Sequence, residues 1–207
     1  VADNLTKVGS FEIFTIEPNW ANDISTEYTM SRRLISYPGT VALLESIAQE
    51  VPIALSLSFQ CGGRQEEYEL LTFFLSKLGR LKRFWLKSPI ASFSLKTTAA
   101  AGAAGIYCNR NSFDLIYRGY ERICISMADG DIVVRKVTSC LAGSDYTYLG
   151  FDTVIDRDIT EDNCSMISRF LLGRFNSDKL KFSYGSVDVK TTELSFVELV
   201  KEYQFAD

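Results

Sequence analysis

Carboxylates are the densest set of groups in this chain that could do chemistry. Asp152, Asp156, Asp158, Glu161 and Asp162 fall close together in a loop-like region. Two carboxyl groups flanking a glycosidic bond can hydrolyse it, one as the acid and the other as base or nucleophile. Clustered acids can also hold calcium, but the Asp-x-Asp-x-Asp-Gly order of a calcium loop is missing. A solvated acidic loop accounts for the same residues. Asp129-Gly130-Asp131 reads as a hairpin turn. The sequence has no histidine, which removes Ser-His-Asp and Cys-His catalysis. Gly102-Ala103-Ala104-Gly105 lacks the Lys-Ser/Thr of a phosphate-binding loop. Cys61, Cys108, Cys124, Cys140 and Cys164 are odd in number and widely spaced. They suit reduced, mostly buried thiols better than a zinc site. The expectation is therefore a non-enzyme with no catalytic residue, no metal and no cofactor.

Two further sets suggest binding. Arg80, Lys82, Arg83 and Lys87 surround Phe84 and Trp85. Cations interleaved with aromatics can hold a nucleic acid through phosphates and stacking. The same residues suit a strand with its aromatics in the core. They also suit a subunit interface, where arginine and tryptophan gain most from losing water. A net charge of −4 disfavours a dedicated nucleic-acid binder. Trp20, after Pro18-Asn19, divides between core and interface in the same way. The interface candidates are Trp20, Arg80, Arg83, Phe84 and Trp85. The tyrosines Tyr107, Tyr117, Tyr120, Tyr146 and Tyr148 would serve a carbohydrate-binding module if they shared one exposed face. Tyr117, Tyr120, Tyr146 and Tyr148 are the glycan-contact candidates.

The elements that must position these residues read mainly as strands. Residues 11–16 are rich in Phe and Ile and stop at Pro18. Ile53, Leu55, Leu57 and Phe59 alternate with Ala54, Ser56, Ser58 and Gln60, the period of a half-buried strand. A helix is predicted over residues 64–78, where Tyr68, Leu71, Leu75 and Leu78 recur at spacings of three, four and three. This stripe, widened by Phe74, is expected to pack on the face carrying Leu55 and Leu57, and Gly79 to end the helix. Residues 40–49 could be helical or extended, with the extended form preferred. Residues 97–105 form a loop of small residues. Short strands follow at 105–109, 113–118, 122–127, 132–140 and 146–153, with turns at 128–131 and 142–145. This pace suggests a small barrel or sandwich. Strands at 179–184 and 187–200 close the chain, with Leu194, Phe196 and Glu198 on one face. A chain of 207 residues can hold one large domain or two small ones. No apolar run is long enough to span a membrane, and the N-terminus lacks a signal-peptide core.

Three blocks carry a resemblance. The first runs from Phe14-Thr15-Ile16-Glu17-Pro18-Asn19-Trp20 to Ser36-Tyr37-Pro38-Gly39-Thr40. The second is Gly79-Arg80-Leu81-Lys82-Arg83-Phe84-Trp85-Leu86. The last is Arg174-Phe175-Asn176-Ser177-Asp178 with Phe196-Val197-Glu198-Leu199. In order and spacing the chain resembles minor tail proteins of tailed bacteriophages, of the distal tail or tail-tip ring type. The second block departs from that pattern in its ending, Leu86-Lys87-Ser88-Pro89, where the proline has moved.

The resemblance implies a mainly β protein. A discontinuous β-sandwich of residues 1–90 and 168–207, with its single helix, would form the ring. Residues 91–167 would be an inserted small β-barrel-like module. It further implies a structural protein of the virion tail tip or baseplate, assembled in the host bacterial cytoplasm as a ring, commonly a hexamer. Its partners would be the tail tube, tape measure and tip hub proteins, with DNA crossing the lumen without specific binding. The rival readings are a carbohydrate-binding host-recognition module and a tip-associated cell-wall hydrolase using the acidic loop.

Overall fold

A computed structural model describes residues 7–28, 32–35, 43–46, 52–119, 121–185 and 189–205. The fold is mainly β. In chain order the elements are β1 (Lys7–Val8), β2 (Phe11–Phe14), β3 (Ser25–Tyr28), β4 (Arg32–Ile35), β5 (Leu43–Ser46), β6 (Ile53–Cys61) and α1 (Arg64–Ser76). They continue with β7 (Phe84–Phe93), β8 (Gly105–Asn109), β9 (Arg122–Met127), β10 (Ile132–Ala142), β11 (Tyr146–Phe151), β12 (Cys164–Phe175), β13 (Ser183–Tyr184) and β14 (Lys190–Glu198). Among the described residues α1 is the one α-helix; two short 3-10 turns complete the set. The chain forms two compact units. One contains Val1–Thr15, Trp85–Leu171 and Tyr203–Asp207; the other contains Ile16–Phe84 and Leu172–Glu202. The 91–167 segment lies within the first of these units, together with Val1–Thr15 and Tyr203–Asp207, which the expected division places with the sandwich.

In the unit that holds the helix, β6 is flanked by β3 and β14, both antiparallel. The pairing of β6 with β14 runs from Lys190↔Cys61 to Val197↔Ala54. The far edge of β14 takes β13 and the end of β12. Ile53, Leu55, Leu57, Phe59 and Cys61 are buried and alternate with less buried residues, as period two requires. Leu194, Phe196 and Glu198 share the buried face of β14, and the Ile53 N–H donates to Glu198 Oε2 at 3.3 Å. β4 and β5 form a separate hairpin. Leu43–Ser46 is therefore extended, while the rest of 40–49 lies outside the described residues.

Helix α1 occupies its expected span, but of the expected stripe only Phe74 is buried, and the face turned to the core is rotated towards Leu70. Leu70 and Phe74 are buried, and Tyr68, Leu75 and Leu78 are 57%, 58% and 57% exposed. The buried face is fixed by rings: Phe74 lies 4.9 Å from Phe175, and Phe73 lies edge-on to Phe84 at 5.2 Å. The helix ends at Lys77. Leu78 and Gly79 then both take positive φ, 54° and 59°, and the Gly79 N–H reaches back to the Phe74 carbonyl at 3.3 Å.

The other unit runs β1-β2-β7-β12-β9-β10-β11-β8. β2 and β7 are parallel, with Ile13 opposite Trp85 and Phe14 opposite Leu86. The strip closes on itself. Leu95, just past β7, bridges Cys108 of β8, and the amides of Lys96 and Asn109 bond to the carbonyls of Tyr107 and Ser94. Closure covers the β8 edge, while β2 and β1 continue the sheet beyond β7. Phe93, Ile106, Ile123, Ile125, Val137, Leu149 and Ile167 belong to one core cluster inside it. β10 and β12 each carry a register shift, the kind of irregularity that lets a closing sheet bend. Residues 113–118, read as a strand, form a 3-10 turn at Phe113–Leu115. Asn111 Oδ1 accepts the Phe113 N–H at 3.2 Å and Arg110 pairs with Asp114, so local polar bonds override the apolar run. The strand read over 179–184 is confined to Ser183–Tyr184.

Candidate functional site

Residues of the second and third sequence blocks meet in the helix-bearing unit. The Arg80 N–H donates to Asp178 Oδ1 at 3.0 Å, and Arg80 Nε lies 2.8 Å from Asp178 Oδ2. A Cβ on Gly79 would fall 2.6 Å from Asp178 Oδ1 and 3.0 Å from its Cα, so a glycine is needed both for the turn and for this close approach. Next to it Phe84 packs 4.8 Å from Phe175 and 6.0 Å from Phe196. Gly79, Arg80, Phe84, Phe175, Asp178 and Phe196 thus form one construction. The Asp178 carboxyl is held below its usual range, chiefly by the Arg80 N–H.

The interface candidates separate. Phe84 and Trp85 are fully buried, so neither offers surface to a neighbour. The Trp85 indole N–H donates to the Val8 carbonyl at 3.0 Å, and its ring stacks on Phe170 at 5.1 Å. Arg83 Nε lies 2.7 Å from Glu202 Oε2. Both arginines thus meet carboxylates of their own unit. Trp20 is 54% exposed. The turn that presents it is tied to β6 through the Asn19 N–H to the Ser58 carbonyl at 2.7 Å. Asn19 Nδ2 to Gln60 and Asn22 Nδ2 to Ser58 Oγ add two more bonds.

The barrel-forming unit carries an aromatic face. Tyr107 on β8 stands directly opposite Tyr148 on β11, with ring centroids 4.9 Å apart, and is 5.4 Å from Tyr146. Tyr107 is 45% exposed and the other two are half-buried. Their rings rest on glycine. A Cβ on Gly143 would meet Tyr146 ring atoms at 2.4 to 2.7 Å, and one on Gly105 would meet Tyr148 Oη at 2.6 Å. Rings laid over glycines are held against the sheet with one face outward. Leu141, opposite Tyr148, extends the surface, and Lys96 sits 5.9 Å from the Tyr146 ring while paired with Asp145. Tyr107, named with the other tyrosines but not among the four contact candidates, joins this face through the pairing of β8 with β11, strands that β9 and β10 separate along the chain. Tyr117 turns inward instead: its hydroxyl donates to the Val137 carbonyl at 3.0 Å and it packs on the core. Tyr120 lies outside the described residues.

The acidic loop is largely engaged. Asp152 accepts the Lys136 N–H, Asp158 accepts the Ala101 N–H, and Asp156 faces Arg135. Arg157 bridges Asp129 and Asp131 at 3.1 and 2.8 Å, pinning the β9–β10 turn. A cleft of about 630 Å³ lies here, lined by Asp129, Asp156, Arg157, Asp158, Asp162 and Asn163. Among the described residues no three acids or cysteines converge as a metal-binding set. No described helix is long and apolar enough to cross a membrane.

All five cysteines are free thiols. Burial raises the pKa of Cys61, Cys108, Cys140 and Cys164, that of Cys108 to about 12.

No family model matches this chain. No curated protein matches it either.

Proposed function

We propose that this chain is a structural component of a bacteriophage tail tip, a distal-tail ring protein without enzymatic activity. It would assemble into a ring, commonly of six copies, that joins the tail tube to the tip hub and lets DNA pass. The tape measure protein would be a further partner. The observation that carries this reading is the meeting of the sequence blocks. Gly79-Arg80 and Asp178 lie 98 residues apart from Arg80 to Asp178, and Phe84, Phe175 and Phe196 share one aromatic cluster. Motifs scattered along a chain carry more weight when they build one local structure than when each stands alone. Trp20, held outward by the Asn19 clamp, supplies the kind of exposed aromatic that anchors a subunit contact. A heterologous contact repeated by rotation closes into a ring. The test is negative-stain imaging and light scattering of the purified chain, alone and with tail tube and hub proteins. Closed rings are expected. A chain that stays outside every tail assembly would overturn the proposal.

A second reading is favoured by one specific observation, the tyrosine face over glycine. Flat aromatic rings at a surface offer stacking area at little entropic cost, so this face would let the barrel-forming unit act in host recognition by holding a saccharide. A glycan array with the parent chain and Tyr107→Ala tests it. Binding that survives the substitution would rule this face out.

A further inference from the structure

The β9–β10 turn is built on Asp129-Gly130, the one Asp-Gly step in the sequence. Ala128, Asp129 and Gly130 are exposed. The Gly130 N–H donates to the Met127 carbonyl at 3.1 Å, and Gly130 takes φ 90°, the left-handed step that a glycine supplies at the end of a short hairpin loop. A side chain placed on Gly130 would meet nothing within 4 Å. Nothing therefore shields this amide except its own bond to Met127. An aspartate followed by an unhindered glycine amide is the arrangement in which a side-chain carboxyl can react with the main chain.

Asp129 is restrained at both carboxyl oxygens. Its Oδ1 accepts the Asp131 N–H at 3.1 Å. Its Oδ2 accepts from Arg157 Nη1 at 3.1 Å, while Nη2 of the same fork donates to Asp131 Oδ2 at 2.8 Å. An ion pair this exposed adds little to stability; what the fork does fix is the position of the carboxyl.

We infer that Asp129-Gly130 is a site of spontaneous backbone isomerisation and that Arg157 is the brake on it. In the first step the Gly130 nitrogen forms a bond to Asp129 Cγ. One carboxyl oxygen leaves as water, with the amide proton and a proton from solvent. Water then opens the resulting succinimide at either carbonyl, restoring aspartate or leaving isoaspartate. Cγ must turn towards the Gly130 nitrogen before the bond can form. It cannot turn while the fork holds Oδ2 and the Asp131 amide holds Oδ1. Isoaspartate would lengthen the main chain of the loop by a methylene, strain the bond from the Met127 N–H to the Asp131 carbonyl and release Arg157 from the turn. The inference rests on neither functional reading.

Ageing of the purified full chain in warm, mildly acidic buffer tests it. Tryptic peptide 123–135 is scored for isoaspartate by electron-transfer fragmentation. The folded parent should isomerise slowly and the urea-unfolded parent fastest. Arg157→Gln should speed the folded chain about tenfold, the effect of one charge-assisted hydrogen bond lost. Arg135→Gln removes the neighbouring arginine, which contacts Val154 and Asp156, and should leave the rate at the parent's. Asp129→Glu, whose longer side chain would have to close a larger ring, should give no isomer. An Arg157→Gln chain as slow as the parent would overturn the inference. So would an unfolded chain no faster than the folded one. An Arg135→Gln chain accelerated as much as Arg157→Gln would also overturn it, since the turn would then answer to general loosening.

Discussion

Two aromatic clusters do opposite work in this protein. Phe73, Phe74, Phe84, Phe175 and Phe196 come from four separate elements and interlock in edge-to-face and tilted pairs. Tyr107, Tyr146 and Tyr148 come from two adjacent strands and lie on the outside of a closed barrel. The phenylalanines have no polar atom, so their burial leaves no hydrogen bond unmade, and they fix the helix to its sheet. Tyr146 and Tyr148 rest on glycines, and all three tyrosines keep contact with water. Aromatic content alone therefore does not mark a site. What lies beneath each ring decides whether it builds the fold or presents a surface.

The comparison can be broken or sharpened by substitution. Phe175→Ala should have the largest effect, about 3–5 kcal/mol from the lost burial and the cavity left behind. It is read as a lower denaturant midpoint at constant slope. Gly79→Ala comes next, at roughly 1–2 kcal/mol, from the left-handed backbone and the collision with Asp178. In the tyrosine cluster, Gly143→Ala should cost about 1 kcal/mol in the parent and little in a Tyr146→Ala background, because the ring is what the new methyl meets. Equal costs in both backgrounds would show that Tyr146 does not rest on Gly143. Tyr107→Ala should change stability by no more than ~1 kcal/mol, since its ring is largely at the surface.

A pH effect is smaller still. The carboxyls of Asp178, Asp114 and Asp145 are lowered from 3.8 by Arg80, Arg110 and Lys96 respectively. A lowered folded pKa adds stability above the unfolded value and loses it as pH falls through the folded one. Thermal melts should therefore be flat above pH 5 in this contribution and decline below about 4. Asp178→Asn should flatten part of that decline.

Much of the fold was legible in the residues. The alternation from Ile53 to Phe59 gave its buried face correctly, because period two leaves only one choice of side. The limits of β8 and β9 coincide with the expected 105–109 and 122–127, since Gly105 opens the first run and the Ala128-Asp129-Gly130 turn closes the second. The helix gave its length but not its face. Its outward stripe is more regular than its inward one, and burial followed the rings of Phe73, Phe74, Phe84 and Phe175 rather than the spacing. Lys77, at the helix end, is 5% exposed, which no local pattern announces. The surface candidates were harder to assign. Trp20 and Trp85 sit in similar apolar-and-polar company along the chain, and only long-range partners make one a presented side chain and the other a core residue.

The pairing of β6 with β14 has a consequence for the order in which the chain is made. About 130 residues separate Cys61 from its partner Lys190. At roughly 5–20 residues per second, a ribosome needs on the order of ten seconds to supply the second strand. For that interval β6 is a strand with a fully apolar face and an unsatisfied edge, held next to a nascent chain still growing. Helix α1 follows it directly, and Leu70 and Phe74 can begin to cover apolar surface while β14 is still unmade. The helix is in this sense a temporary lid during synthesis before it becomes a permanent layer of the finished unit.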